Sequence, residues 1–240
     1  MIYKIVLTRC IYILPCLIFF HVTQLQAQQT NVSKYGVPVI AKLTEYQLSV
    51  HDDSAKCMVE LHTLAPGIVY DLRYATINNF MHRQMYVPAT RYTFLRLPAA
   101  RALAAVQKEL NSQGYGLKIY DAYRPYSVTI SFWELVKDER YVANPKNGSG
   151  HNRGLAVDLT SIDLKSGREL EMGTGFDNFS DTAHHSFTAL SPAAVKNRTL
   201  LKETMERHGF KKLETEWWHF FWSNDRGYEV LDLPFAELLK

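Results

Sequence analysis

The sequence predicts a mixed α+β fold in a single domain. Three observations carry that reading. The chain has 240 residues, 47% hydrophobic and 21% charged, the balance of a folded protein with enough chain for one sizeable core. Short β-prone runs alternate with segments of helical periodicity. No repeat, heptad run or low-complexity linker divides the chain, since 12 Gly and 9 Pro are too few for one. The formal charge of +3 gives no electrostatic case for nucleic acid as a partner.

Residues 1–27 read as a secretory signal. Lys4 and Arg9 flank the start of an apolar run, Cys10 to Phe20, that is too short to span a bilayer comfortably. Leu25-Gln26-Ala27 then offers a small-residue cleavage site. An uncleaved anchor is one alternative; lipidation at Cys16 is another, weakened by Pro15. The expected mature domain is 28–240, exported to the periplasm, with no membrane span and with 25 basic against 24 acidic residues, net +1. Its one cysteine, Cys57, can form no internal disulfide, has no ligand pattern around it and reads as a small apolar residue. Asn-x-Ser/Thr sequons at Asn31, Asn147, Asn178 and Asn197 read as chance in a bacterial envelope protein, because two lie beside the candidate site below.

Residues 28–60 are polar and irregular, a loose start to the domain. Ile68 to Ala75 reads as a strand. A helix is expected from Pro98 to Ser112, with Leu103, Val106 and Leu110 on one face and Gly114 after its end. Leu117 to Tyr123 alternates like a strand; Pro125 interrupts it, and Val128, Phe132 and Leu135 suggest a second helix. Gly154 to Thr160 reads as a strand entered through a glycine. The connection 164–190 is rich in Gly, Asp and His, and connections of that length usually serve function. Ser191-Pro192 caps a helix to His208, ended by Gly209, and Glu216 to Trp222 is strongly β-prone.

Two histidine settings stand out. In Ser149-Gly-His151-Asn-Arg-Gly154-Leu-Ala156-Val-Asp158 the odd spacing keeps His151 and Asp158 off one face of a straight strand, but Gly154 permits a turn that could join them. Glu216-Trp217-Trp218-His219 adds a third ligand and a separate carboxylate. Two His and an Asp, with a Glu left over, are what a hydrolytic zinc site needs: three ligands leave a position for water, and a free carboxylate can move its proton. Spacing alone leaves a structural alternative open, with His151 satisfied by hydrogen bonds and His219 packed among tryptophans.

The same residues resemble the zinc D,D-peptidase superfamily that also contains the Hedgehog-like fold. Six motifs in order narrow the resemblance to D-alanyl-D-alanine dipeptidases of the VanX type known from vancomycin resistance: Tyr70-Asp-Leu-Arg-Tyr-Ala-Thr76 with Asn79-Phe80, Gln113 to Leu117, Asp121-Ala-Tyr-Arg-Pro125, Met172 to Asp177, His184-His185 and Glu216-Trp-Trp-His219. The resemblance runs from about Ile68 to the C-terminus. It implies a mostly antiparallel sheet flanked by helices, and one Zn2+ per chain held by His151, Asp158 and His219. It implies Glu216 as general acid/base and Arg124 as oxyanion stabiliser, the alternative for Arg124 being a salt bridge with Asp121. Tyr74, Ser149 and Asp177 would line the pocket, with Asp177 facing the ammonium of D-Ala-D-Ala or serving as a turn residue. The His184-His185 pair reads as support behind the metal ligands or as loop structure, because adjacent side chains rarely point at one ion. Export departs from the resistance enzymes, which act in the cytoplasm, and favours turnover of wall-derived dipeptides. A D,D-carboxypeptidase or wall endopeptidase, and a non-catalytic binding module, are the competing readings. Oligomeric state is not encoded in any of these motifs.

Overall fold

A computed structural model describes residues 31–88, 90–223 and 226–239. The expected signal segment lies outside the described residues. Strands β1 (Asn31–Val32) and β2 (Pro38–Ile40) lead into helix α1 (Leu43–Asp52) and strand β3 (Met58–Glu60). This corrects the irregular start expected over 28–60. Leu43, Tyr46 and Val50 recur at helical spacing and pack into a side core, but polar neighbours dilute the stripe below recognition.

Helix α2 (Leu61–Leu64) and strand β4 (Val69–Tyr70) follow. The strand expected to reach Ala75 stops after two residues, and a 3-10 turn, Arg73–Ala75, swings Tyr74 into the side core. Strand β5 (Phe94–Arg96) pairs antiparallel with β3 and runs directly into helix α3 (Leu97–Ser112), which has Pro98 in its first turn. Strand β6 (Tyr115–Asp121), helix α4 (Tyr126–Val136) and strand β7 (Ala156–Asp163) come next. Apart from an isolated bridge at Glu169 and the 3-10 turn Asp181–Ala183, residues 164–190 are the connection expected. Helix α5 (Pro192–Arg207) is capped by the Ser191 side chain, which accepts from the Ala194 amide. Strands β8 (Phe210–Leu213), β9 (Glu216–Trp222) and β10 (Val230–Leu231) complete the chain.

The central sheet has the order β4-β6-β7-β9-β8, parallel only between β4 and β6. Leu103, Val106 and Leu110 of α3 and Leu201 and Met205 of α5 bury against it, with Val157 and Leu159 of β7. Alternation along a strand then turns Asp158, between those two, to the opposite side. Arg96 is fully buried; it donates to the carbonyls of Lys56, Arg153 and Glu229 and lies over the Tyr228 ring. It thereby ties the β3–β5 edge and the C-terminal segment to the turn that carries His151. No helix among the described residues is long and apolar enough to cross a membrane.

Candidate metal centre and active site

Sheet register assembles the site. Asp158 on β7 lies opposite Asp121 on one side and His219 on the other. His151 comes from the turn before β7. Gly154 has φ +69°, and a side chain there would meet Met58 and the Arg96 amide nitrogen. The Gly150 carbonyl accepts from the amides of Arg153, Leu155 and Ala156, folding the turn back over the strand. Spacing of three would put Glu216 and His219 on opposite faces of a regular strand. The β8–β9 register slips here: Lys212 faces Phe220, yet Leu213 faces Glu216. That irregularity re-aims the strand and lets both side chains enter one cavity.

The donor atoms of His151, Asp158 and His219 lie within 4.8 Å of one another. His151 Nδ1 sits 2.7 Å from the Ala122 carbonyl, which can only accept, so Nδ1 carries the proton and Nε2 presents its lone pair. That Nε2 is 3.3 Å from His219 Nδ1 and 3.4 Å from Asp158 Oδ2. His219 Nδ1 is 2.8 Å from Asp158 Oδ1. Burial opposes the Asp158 charge, but the two imidazoles outweigh it and hold the carboxyl well below its ordinary range. Burial likewise opposes charge on His219, and the Asp158 hydrogen bond together with the charges of Asp158 and Glu216 overcomes it, raising the imidazole. Two nitrogens and a carboxylate converging on one point, with one tautomer fixed from behind, fit a divalent ion such as zinc.

Glu216 Oε2 stands 3.9 Å from His219 Nδ1, and burial raises its carboxyl, with Asp158 reinforcing and His219 opposing. Arg124 donates from Nε and Nη2 to Asp121 Oδ2 at 2.9 and 2.7 Å. The salt bridge weighed as an alternative for Arg124 is therefore present, yet the guanidinium also faces the cavity, 3.9 Å from Asp158 Oδ2. Tyr74 and Phe132 lie 5.1 and 4.8 Å from its centre. Burial opposes its charge, but Asp121 together with Tyr86, Tyr74 and Asp158 outweighs burial, so the group stays cationic. The Tyr74 hydroxyl donates to Asp177 at 3.1 Å; burial, then the Asp158 charge, pushes that carboxyl up to about 8.

All eight side chains named from the sequence line one cavity of about 350 Å³. Ser149 is there, but its hydroxyl already accepts from the Asn152 amide. A second cavity, about 370 Å³ and largely apolar, is lined by Tyr86, Pro125 and Phe235 among others and holds none of the eight. His184 and His185 lie outside the triad and outside the lining of the first cavity. The His184 carbonyl accepts from Arg198, and the His185 amide donates to Glu214.

The model of peptidase family M15, described as D-Ala-D-Ala dipeptidase, matches residues 54–237. The chain belongs to this family. Among curated relatives, this M15 peptidase is 36% identical to a D-alanyl-D-alanine dipeptidase of Escherichia coli, over 75% of this chain and 91% of the relative. It is 29% identical to one of Enterococcus faecalis, over 74% and 93%. It is 32% identical to one of Streptomyces coelicolor, over 65% and 87%.

Two residues that brace the cavity from behind in this M15 peptidase escaped the sequence reading. Asn152, fully buried, donates to the Arg124 carbonyl at 2.8 Å and to Thr129 Oγ1 at 2.9 Å, and its Oδ1 accepts from the Ser149 amide. Tyr86 donates to Asp121 Oδ1 behind Arg124. Asn152 stood in plain view beside His151; the signal for Tyr86 was only an aromatic in a loop.

Proposed function

We propose that this chain is an exported zinc dipeptidase that hydrolyses D-alanyl-D-alanine to two molecules of D-alanine, in turnover of peptidoglycan-derived dipeptides. The observation that carries the reading is the pairing, in one cavity, of the His151–Asp158–His219 cluster with the recessed Asp177 carboxyl held by Tyr74. His151, Asp158 and His219 would hold the metal. Zinc bound there would polarise the scissile carbonyl and bring the pKa of a water to about 7. Glu216 takes the proton from the attacking water and returns it to the departing amine; burial keeps its carboxylate basic enough for both transfers. Arg124, fixed in orientation by Asp121, faces the carbonyl oxygen as negative charge develops on it. Tyr74 and Ser149 shape the pocket, and an ammonium seated beside Asp177 draws its carboxyl back to the ionised form.

Arg124→Ala is expected to lower kcat by roughly 10²–10³ while raising KM far less, because the oxyanion exists mainly in the transition state. Steady-state kinetics separate the two effects. A pure KM effect would place Arg124 on the substrate's carboxylate instead.

Selectivity tests the substrate assignment. An N-acetylated D-Ala-D-Ala leaves Asp177 without its cation, which costs a few kcal/mol, or several orders of magnitude in kcat/KM. Asp177→Ala should lower activity on the free dipeptide and weaken discrimination against the acetylated one. Efficient release of terminal D-Ala from a wall pentapeptide would overturn the dipeptidase reading in favour of a D,D-carboxypeptidase. Export rests on the basic–apolar–small pattern of residues 1–27. The N-terminal residue of the protein recovered from the periplasm, Gln28 on this reading, checks it.

A further inference from the structure

A dipeptide zwitterion brings two charges into the cavity, and only its ammonium has been given a partner. Asp158, Asp177 and Glu216 all sit in the cavity wall, and a substrate carboxylate placed beyond the metal cluster needs a cationic partner of its own. Two guanidinium groups line the wall, Arg124 and Arg140. Arg124, held by Asp121 through Nε and Nη2 and 3.9 Å from Asp158, is given above to the carbonyl oxygen at the centre of the substrate.

Arg140 is placed differently. Helix α4 ends at Val136, its cap Lys137 turns the chain with a φ of +52°, and residues 139–143 then line the cavity. Val142, buried, and Tyr141, whose ring lies 5.0 Å from Phe179, anchor the segment to the wall. Phe179 in turn meets Phe80 edge-on at 5.1 Å. Arg140 precedes this anchor with its side chain 76% exposed, so it can be approached from the cavity. A guanidinium offers two edges for a carboxylate. Asp138 fills the Nε/Nη2 edge, at 2.9 Å from Oδ1 to Nε and 2.5 Å from Oδ2 to Nη2. Hydrogen bonds from Arg140 hold Asp138 down to about 2, so it stays an ionised rest for the side chain. No hydrogen bond among the described residues uses Nη1, which leaves the Nη1/Nη2 edge available. The neighbouring acid, Glu139, is tied to Asn144 at 2.6 Å and does not compete.

Resting on the dipeptidase reading, we infer that Arg140 determines specificity for a free C-terminal carboxylate, binding it through the Nη1/Nη2 edge while Asp138 holds the other. Ammonium recognition at Asp177 and carboxylate recognition at Arg140 then confine the substrate to a free dipeptide at both ends. On this inference the two contacts would present the scissile bond between them to the metal cluster in the same cavity.

The test compares wild type, Arg140→Gln and Arg140→Lys on D-Ala-D-Ala and on its C-terminal amide. In Arg140→Gln, KM for the acid should rise about 10- to 100-fold, the range of a hydrogen bond to a charged group, with kcat changing by less than about threefold. The acid-over-amide preference in kcat/KM should fall by the same factor. Arg140→Lys should restore part of it, supplying charge without the planar edge. Melting temperature should match wild type, because the side chain is exposed. A preference equal to that of wild type would overturn the inference and leave Arg124 as the carboxylate reader, while turnover by wild type still upheld the dipeptidase reading. If wild type turned over neither compound, that reading would fall. Calorimetric Kd values for acid and amide would then decide the inference alone: an acid-over-amide ratio unchanged by Arg140→Gln, or no binding of either, overturns it.

Discussion

Glu216→Gln is expected to bind zinc as wild type does and to lose roughly 10²–10⁴-fold in kcat, or more, since one group serves both proton transfers. Gln keeps the shape and cannot accept a proton. The choice of variant follows from the geometry: Glu216 lies 3.9 Å from the nearest His219 nitrogen and belongs to the same strand, so a shorter residue would also disturb the cluster. Metal content by elemental analysis and single-turnover kinetics, measured on one preparation, separate chemistry from binding. Wild-type kcat in this variant would remove Glu216 from the mechanism.

His219→Ala should lose both metal and turnover. Two remaining donors, His151 Nε2 and Asp158, cannot hold a tetrahedral ion against dissociation. Forfeiting several kcal/mol of transition-state stabilisation at about 1.4 kcal/mol per decade implies a loss of at least about 10³. Stability offers a readout independent of activity. A ligand that binds only the folded state raises its stability, so zinc should raise the melting temperature of wild type and leave that of His219→Ala unchanged. Wild type that takes up no stoichiometric metal after incubation with zinc, while remaining folded, would refute the centre itself.

Much of this was legible in the sequence, for different reasons at different residues. Leu103, Val106 and Leu110 announced α3 because its buried face is continuous and its ends carry Pro98 and Gly114. Gly154 announced the turn, and the structure shows the positive φ that the turn needs. The eight side chains gathered around the cavity were found through ordered motifs rather than spacing. Spacing misleads at Glu216 and His219, where a register slip cancels the alternation rule. It is also silent on which strands become neighbours, so the alignment of Asp121, Asp158 and His219 could not be read. Asp121 was seen only as a rival explanation for Arg124, whereas the pairing and the outlook onto the cavity coexist. Helix α1 was missed because its few apolar residues meet a side core instead of the main one.

The register that lines up Asp158 with His219 also fixes when in folding this centre can exist. Its donors stand 61 and 68 positions apart along the chain, on β7, β9 and the turn before β7, with α5 and β8 lying between them. Local folding of any one segment provides at most two donors, unlike a helical His-x-x-x-His motif, which forms within a single turn. Closing loops of that length is a slow, late event in chain assembly. On the proposed zinc reading, metal capture would therefore be a property of the completed sheet: partly folded intermediates lack the three-donor cluster, and the ion would arrive as a seal on finished topology rather than as a nucleus for it.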